Sequence, residues 1–146
     1  MRNPVIAIGL DAGDPNLLEK WMAQGHLKNL QKLRDRGAYG RLKTFDYYRA
    51  ETPWTTFLTG ASPQKTGYWA PVKLREGSYH VDPIEAYDFA EYQPFYALGN
   101  DYRVAIFDMP QAPLSSRVNG VQALAWGAHS PQTPTHSQPE SFLDEI

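Results

Sequence analysis

The chain has 146 residues, 42% of them hydrophobic and 21% charged, which suits one soluble globular domain or a large piece of one. A formal net charge of −2, with Lys and Arg scattered along the chain, argues against the dense basic face that nucleic acid or an anionic membrane demands. No apolar run is long enough to span a bilayer and none follows Met1 as a signal peptide would, while zero cysteines exclude disulfides and thiolate metal sites; a cytoplasmic location fits, and any metal must sit on oxygen and imidazole ligands.

Pro4 to Leu10 is a nearly continuous apolar run and predicts a parallel strand covered on both faces. Asp14-Pro15 then reads as an N-cap followed by a proline at the first helical position. Leu17, Leu18, Trp21 and Met22 make one face of the helix that follows, and Gly25 can close it. Leu27, Leu30 and Leu33 mark a second helix, with Arg34 and Arg36 near its negative end and Gly37 after it. Ala38 to Thr44 reads as another strand. Phe45 to Ala50 is a polar-aromatic loop, and Thr52-Pro53 opens a short helix, Trp54 to Thr59, stopped by Gly60. Ser62-Pro63 and Lys65-Thr66-Gly67 are turn chemistry. Trp69 to Leu74 and Ser78 to Val81, joined through Arg75-Glu76-Gly77, predict a hairpin. The aromatic-rich stretch 82–100 gives no clean period, although a helix fits within Ala86 to Leu98. Tyr102 to Phe107 and Val121 to Trp126 are two further buried-strand candidates. Pro131 to Pro139 is expected to be extended loop, and Ser141 to Ile146 the first turn of a helix. Strands alternating with helices predict an α/β fold, a mostly parallel sheet with helices on both faces.

Asp11 lies just past the carboxyl end of the first expected strand, where ligands bind in open α/β sheets. Capping of the next helix is the alternative, but Asp14 is better placed for that task. Thr52 stands at a helix entrance, where backbone N–H groups and the helix dipole favour an anion. On spacing alone a plain Thr-Pro N-cap explains it better, and Thr55 and Thr56 lie one turn on. Asp108 ends another expected strand and either shares the crevice with Asp11 or caps a turn. Tyr47, Tyr48 and Arg49 precede Thr52 as candidate substrate contacts or as a solvated loop. Trp54 and Trp69 read as packing residues, and Asn100 and Asn119 as turn residues.

Val5-Ile6-Ala7-Ile8-Gly9-Leu10-Asp11-Ala12-Gly13, with two helices and Gly37-Ala38-Tyr39-Gly40-Arg41-Leu42 after it, resembles the opening of the alkaline phosphatase superfamily, most closely its type I phosphodiesterase and nucleotide pyrophosphatase branch. Thr52-Pro53-Trp54-Thr55-Thr56-Phe57-Leu58-Thr59-Gly60, followed by Ser62-Pro63 and Gly67, resembles that family's nucleophile segment. Asp108-Met109-Pro110 and Val118-Asn119-Gly120-Val121 resemble its next strand and loop.

The resemblance implies an alkaline phosphatase-like fold, with Asp11 as a metal ligand and Thr52 as a nucleophile that becomes transiently phosphorylated. It also implies two divalent metal ions, Zn2+ or alternatively Mn2+ or Mg2+, and a phosphate ester or nucleotide-like small-molecule substrate. Two metals about 4 Å apart can hold the attacking and leaving oxygens of an in-line displacement.

The segment departs from the family pattern in three ways. The stretch from Thr52 to Gly60 is about two residues short, which makes Thr55 the alternative nucleophile. Thr66 stands where the family has a histidine. The Asp-His pair and later His ligands are not found, since His26, His80, His129 and His136 are isolated among turn and loop residues. Residues 1–146 are therefore expected to be the N-terminal part of one catalytic domain, inactive without a missing C-terminal half. A phosphomutase or sulfatase of the same superfamily, and a non-catalytic remnant or binding module, are the alternatives.

Overall fold

The structure is a computed structural model that describes residues 3–44, 51–84, 87–88, 90–126 and 134–145. The chain divides into two compact units, Met1–Lys43 and Thr44–Ile146.

The first unit is a helix pair, α1 (Pro15–Ala23) and α2 (Lys28–Arg36). Asp14 caps α1 as its sequence predicts, its carboxylate accepting the N–H groups of Asn16 at 2.8 Å and Leu17 at 2.9 Å. These are two of the donors a helix start leaves without an intrahelical acceptor. The helix ends in a Schellman turn. Gly25 takes the left-handed conformation at φ +79°, its N–H reaches the Met22 carbonyl, and the His26 N–H reaches the Trp21 carbonyl. Gly37 follows α2, its N–H on the Leu33 carbonyl.

The two expected strands flanking these helices do not form. Residues 3–10 and 38–44 belong to no ladder, and Val5 and Ile6 are 93% and 82% exposed. An apolar run becomes a strand only where neighbouring strands take up its N–H and C=O groups, and the described residues of this unit contain none. Side-chain contacts to α1 hold residues 39–41 instead. The Arg41 guanidinium grips both Glu19 carboxylate oxygens, at 2.6 and 3.3 Å, and donates to the Asn16 side-chain oxygen at 2.9 Å. The Tyr39 hydroxyl donates to Glu19, and Arg34 lies over the Tyr39 ring at 4.0 Å. Arg41 first, and then Tyr39, holds the Glu19 carboxyl below the ordinary carboxylate range.

The second unit begins with α3 (Glu51–Thr59) and the single turn α4 (Pro63–Thr66), the latter closed by left-handed Gly67. The expected hairpin is present as β1 (Val72–Leu74) and β2 (Val81–Pro83), antiparallel with Lys73 opposite Asp82. Arg75 and Asp82 pair across its loop side at 2.5 and 3.1 Å. Three strands form the main sheet in the order β3 (Gly99–Met109), β4 (Val118–Leu124), β5 (His136–Gln138). β3 and β4 are parallel, while β4 and β5 are antiparallel. The sheet is thus small, open and mixed rather than mostly parallel.

β3 and β4 run longer toward their starts than their apolar cores suggest, which places Asn100 and Asn119 in strands and not in turns; the Asn119 amide donates to the Asn100 carbonyl at 3.2 Å. β5 arises inside the Pro-rich stretch expected to be loop, and the closing turn is a 3-10 helix, Glu140–Glu145. The described residues of 86–98 contain no helix.

Packing on one side of this sheet makes the core: Leu58, Tyr68, Tyr87, Tyr96, Ile106, Ala112, Val118 and Leu124. Gln122 is fully buried in β4 with its amide satisfied at both ends. It accepts from the Ser115 N–H at 3.1 Å and donates to the Ser115 carbonyl and the Gln138 side-chain oxygen, each at 3.0 Å.

Candidate active site

The site that the sequence points to is built on α3. This helix starts at Glu51, two residues before the expected start, so Thr52 lies within its first turn and not at the N-cap. Pro53 is tolerated there because the N–H groups of a first turn have no acceptor within the helix. At the other end Gly60, at φ +66°, sends its N–H to the Thr56 carbonyl, and the Phe95 N–H takes up the Leu58 carbonyl at 2.8 Å. Phe57 and Phe95 meet edge to face at 5.2 Å. The aromatic-rich stretch therefore closes the carboxyl end of α3 and leaves its first turns to face the core.

The orientation of α3 is the unexpected feature. Thr52 is fully buried and Thr55 is 2% exposed, whereas Phe57 is 52% exposed. Positions 52, 55 and 59 recur at helical spacing, so three hydroxyls share the face that also carries Leu58. Thr59 is satisfied locally, its hydroxyl donating to the Thr55 carbonyl at 2.7 Å. The Thr55 hydroxyl is buried without a hydrogen-bond partner, and so is the Tyr96 hydroxyl. Tyr96 packs in the same core cluster as Leu58, one turn along from Thr55, and burial pushes its phenol up to about 12. Among buried groups these two stand out, because a polar atom taken from water is ordinarily paired.

A second concentration of unusual backbone lies at the carboxyl ends of β3 and β4. Asp108, Gln111 and Ala125 all have positive φ, at +53°, +54° and +51°. Asp108 stands where the β3 register slips between Phe107 and Met109, so it is the exposed residue of a bulge. Gln111 is buried and accepts the Tyr68 hydroxyl at 3.4 Å. No family model, curated protein or solved structure matches the chain significantly.

Asp11 occupies an exposed turn with Ala12, which is left-handed at φ +50°, three residues before the α1 cap. It belongs to the first unit and Thr52 to the second. Among the described residues no three His, Asp or Glu side chains gather as a metal-binding group. His26 follows the α1 C-terminus, His80 ends the hairpin loop and His136 opens β5, all exposed; His129 lies outside the described residues, as do Tyr47, Tyr48 and Arg49. Thr66, at the position of the family's histidine, has a turn role, its hydroxyl accepting the Tyr68 N–H at 3.2 Å. The Asp11 carboxylate offers one ligand, while zinc binds four and magnesium prefers six.

Periodicity in the sequence could have found the threonine face, since 52, 55 and 59 fall on one stripe. Its burial was not legible, because a polar stripe is ordinarily assigned to solvent. Tyr96 and Gln111 give no local signal at all.

Proposed function

We propose that this chain carries the nucleophile of a phosphoryl-transfer hydrolase of the alkaline phosphatase type, a phosphodiesterase or nucleotide pyrophosphatase, with Thr52 as that nucleophile. The observation that carries the proposal is the inverted face of α3: hydroxyls turn inward and Phe57 outward, the reverse of what burial of apolar area favours. Departures of this kind from local packing rules concentrate at functional sites. Further support comes from Thr52 lying in a first turn, where helix dipole and backbone donors favour a phosphate. The resemblance of residues 5–13 and 52–60 to the family's first strand and nucleophile segment points the same way.

In the proposed reaction the Thr52 hydroxyl oxygen bonds to phosphorus as the ester P–O bond breaks. The hydroxyl proton leaves with the departing alcohol. Water then cleaves the phosphothreonine, restoring the hydroxyl and releasing the phosphate product. The family's two divalent ions would stabilise the attacking and leaving oxygens. Asp11 is proposed as one of their ligands. The substrate class is a small phosphate ester, the proposed location is cytoplasmic, and the full family fold is part of the same proposal.

The test is chemical trapping. The chain is incubated with p-nitrophenyl phosphate and with its diester, with and without Zn2+ or Mn2+, and digested for mass spectrometry. A phosphate on Thr52, trapped without turnover and absent in Thr52→Ala, is the expected result. A phosphate on Thr55 would move the nucleophile there. No phosphorylation, with no zinc or manganese retained on purification, would favour the second reading, a non-catalytic remnant whose inward threonines are only structural.

A further inference from the structure

Thr55 has a role in this site that the nucleophile assignment does not cover. Its hydroxyl is almost completely buried, has no acceptor or donor among its neighbours, and lies on the same face of α3 as Thr52, one turn later. Helical side chains lean toward the N-terminus, so the Thr55 side chain leans along that face toward the first turn, within reach of a group held there. Threonine at a mid-helix position usually resolves its hydroxyl by bonding back to the carbonyl four residues before, as Thr59 does with Thr55. Thr55 does not, although its neighbour on the next turn shows that this helix permits the geometry.

A valine would fill the same volume without leaving a buried hydroxyl unpaired, which makes the threonine a cost unless something binds it. The helix has nine residues, long enough for its first turn to carry a directed positive potential. We propose that the Thr55 hydroxyl is a binding residue for an oxyanion, donating to a phosphate oxygen held at the head of α3. The chemical class of ligand is a tetrahedral phosphate group. The inference rests on the reading of α3 as a phosphoryl site but not on which residue attacks, and it makes Thr55 a positioning group rather than a second nucleophile.

The experiment uses the full chain, with inorganic phosphate as the probe and chloride at matched ionic strength as the control. Thermal unfolding is followed across a phosphate titration for wild type, Thr55→Val, Thr55→Ser and Thr52→Val. Wild type should be stabilised in a saturable manner. Thr55→Val should melt at the same temperature as wild type, or higher, when no phosphate is present. Its half-saturating phosphate concentration should rise by roughly ten- to a hundredfold, as expected for losing one hydrogen bond to a charged group. Thr55→Ser should bind within a few-fold of wild type.

Equal phosphate response in wild type and Thr55→Val, with a loss in Thr52→Val, would overturn the role of Thr55 and leave the α3 site standing. No response in wild type would overturn the α3 site and this inference with it. A lower melting point of Thr55→Val without phosphate would show that the hydroxyl already has a partner inside the protein, which also overturns it.

Discussion

Replacing Gly120 by alanine should break the contact on which the sheet depends. Gly120 pairs with Val104 at the point where β3 has slipped three extra residues past β4, between the pairs Gly99–Val118 and Val104–Gly120. A Cβ on Gly120 would overlap the Val104 carbonyl oxygen and lie 2.9 Å from its carbonyl carbon and 3.1 Å from its nitrogen. All three are backbone atoms, so no rotamer change relieves the clash and the strands must part. The backbone at Gly120 is also at φ +154°, a region essentially closed to other residues and costing about 1–3 kcal/mol. Overpacking adds a similar amount, about 1–3 kcal/mol. The expected loss is therefore about 3 kcal/mol or more, a large part of the roughly 5–15 kcal/mol that holds a domain together.

Gly77→Ala is the internal control. Gly77 is left-handed at φ +72°, yet nothing lies within 4 Å of its would-be Cβ, so only the backbone term of about 1–2 kcal/mol applies. Urea melts followed by tryptophan fluorescence give both values. A shift in melting temperature of about 10 °C for Gly120→Ala is the thermal equivalent. If the two variants lose the same stability, the close approach of β3 and β4 is wrong.

Gln122→Leu keeps the side-chain volume but leaves the Ser115 N–H and carbonyl and the Gln138 amide without their buried partner. A loss of about 2–4 kcal/mol is expected in the same melts, and a change below about 0.5 kcal/mol would refute the network. Tyr96 carries a pH signature. Its folded-state pKa is raised from 10.0 to about 12, so its stabilisation is fully present below pH 10 and is lost as pH rises through that window. Unfolding measured across the window should show this loss in wild type and a shallower one in Tyr96→Phe. Equal slopes would mean that Tyr96 is not the group responsible.

Elements defined by local chemistry were legible in the sequence. Asp14-Pro15 and Gly25 set both ends of α1, Gly37 ends α2, and the apolar hearts of β3 and β4 lie where their residues predict; the hairpin forms as expected, with its second strand at Val81–Pro83 and not Ser78–Val81. Each of these depends on φ preference, capping or short-range burial, which neighbouring residues specify. The mixed helix-and-strand composition was legible for the same reason.

Tertiary structure decided the rest. Residues 4–10 have the composition of a buried strand and form none, because a ladder is made by two segments and composition describes one. Tyr39 and Arg41 are held by Glu19, twenty residues away in sequence, and β5 forms in a Pro-rich stretch because β4 offers it an edge. α3 could be read as a helix from its residues, but which face it buries could not. Phe95 closes its end at the Leu58 carbonyl, a contact across 37 positions, and the threonines face inward. The identity of the candidate residues was thus written in the sequence, while their burial, the property that argues for chemistry, came from packing.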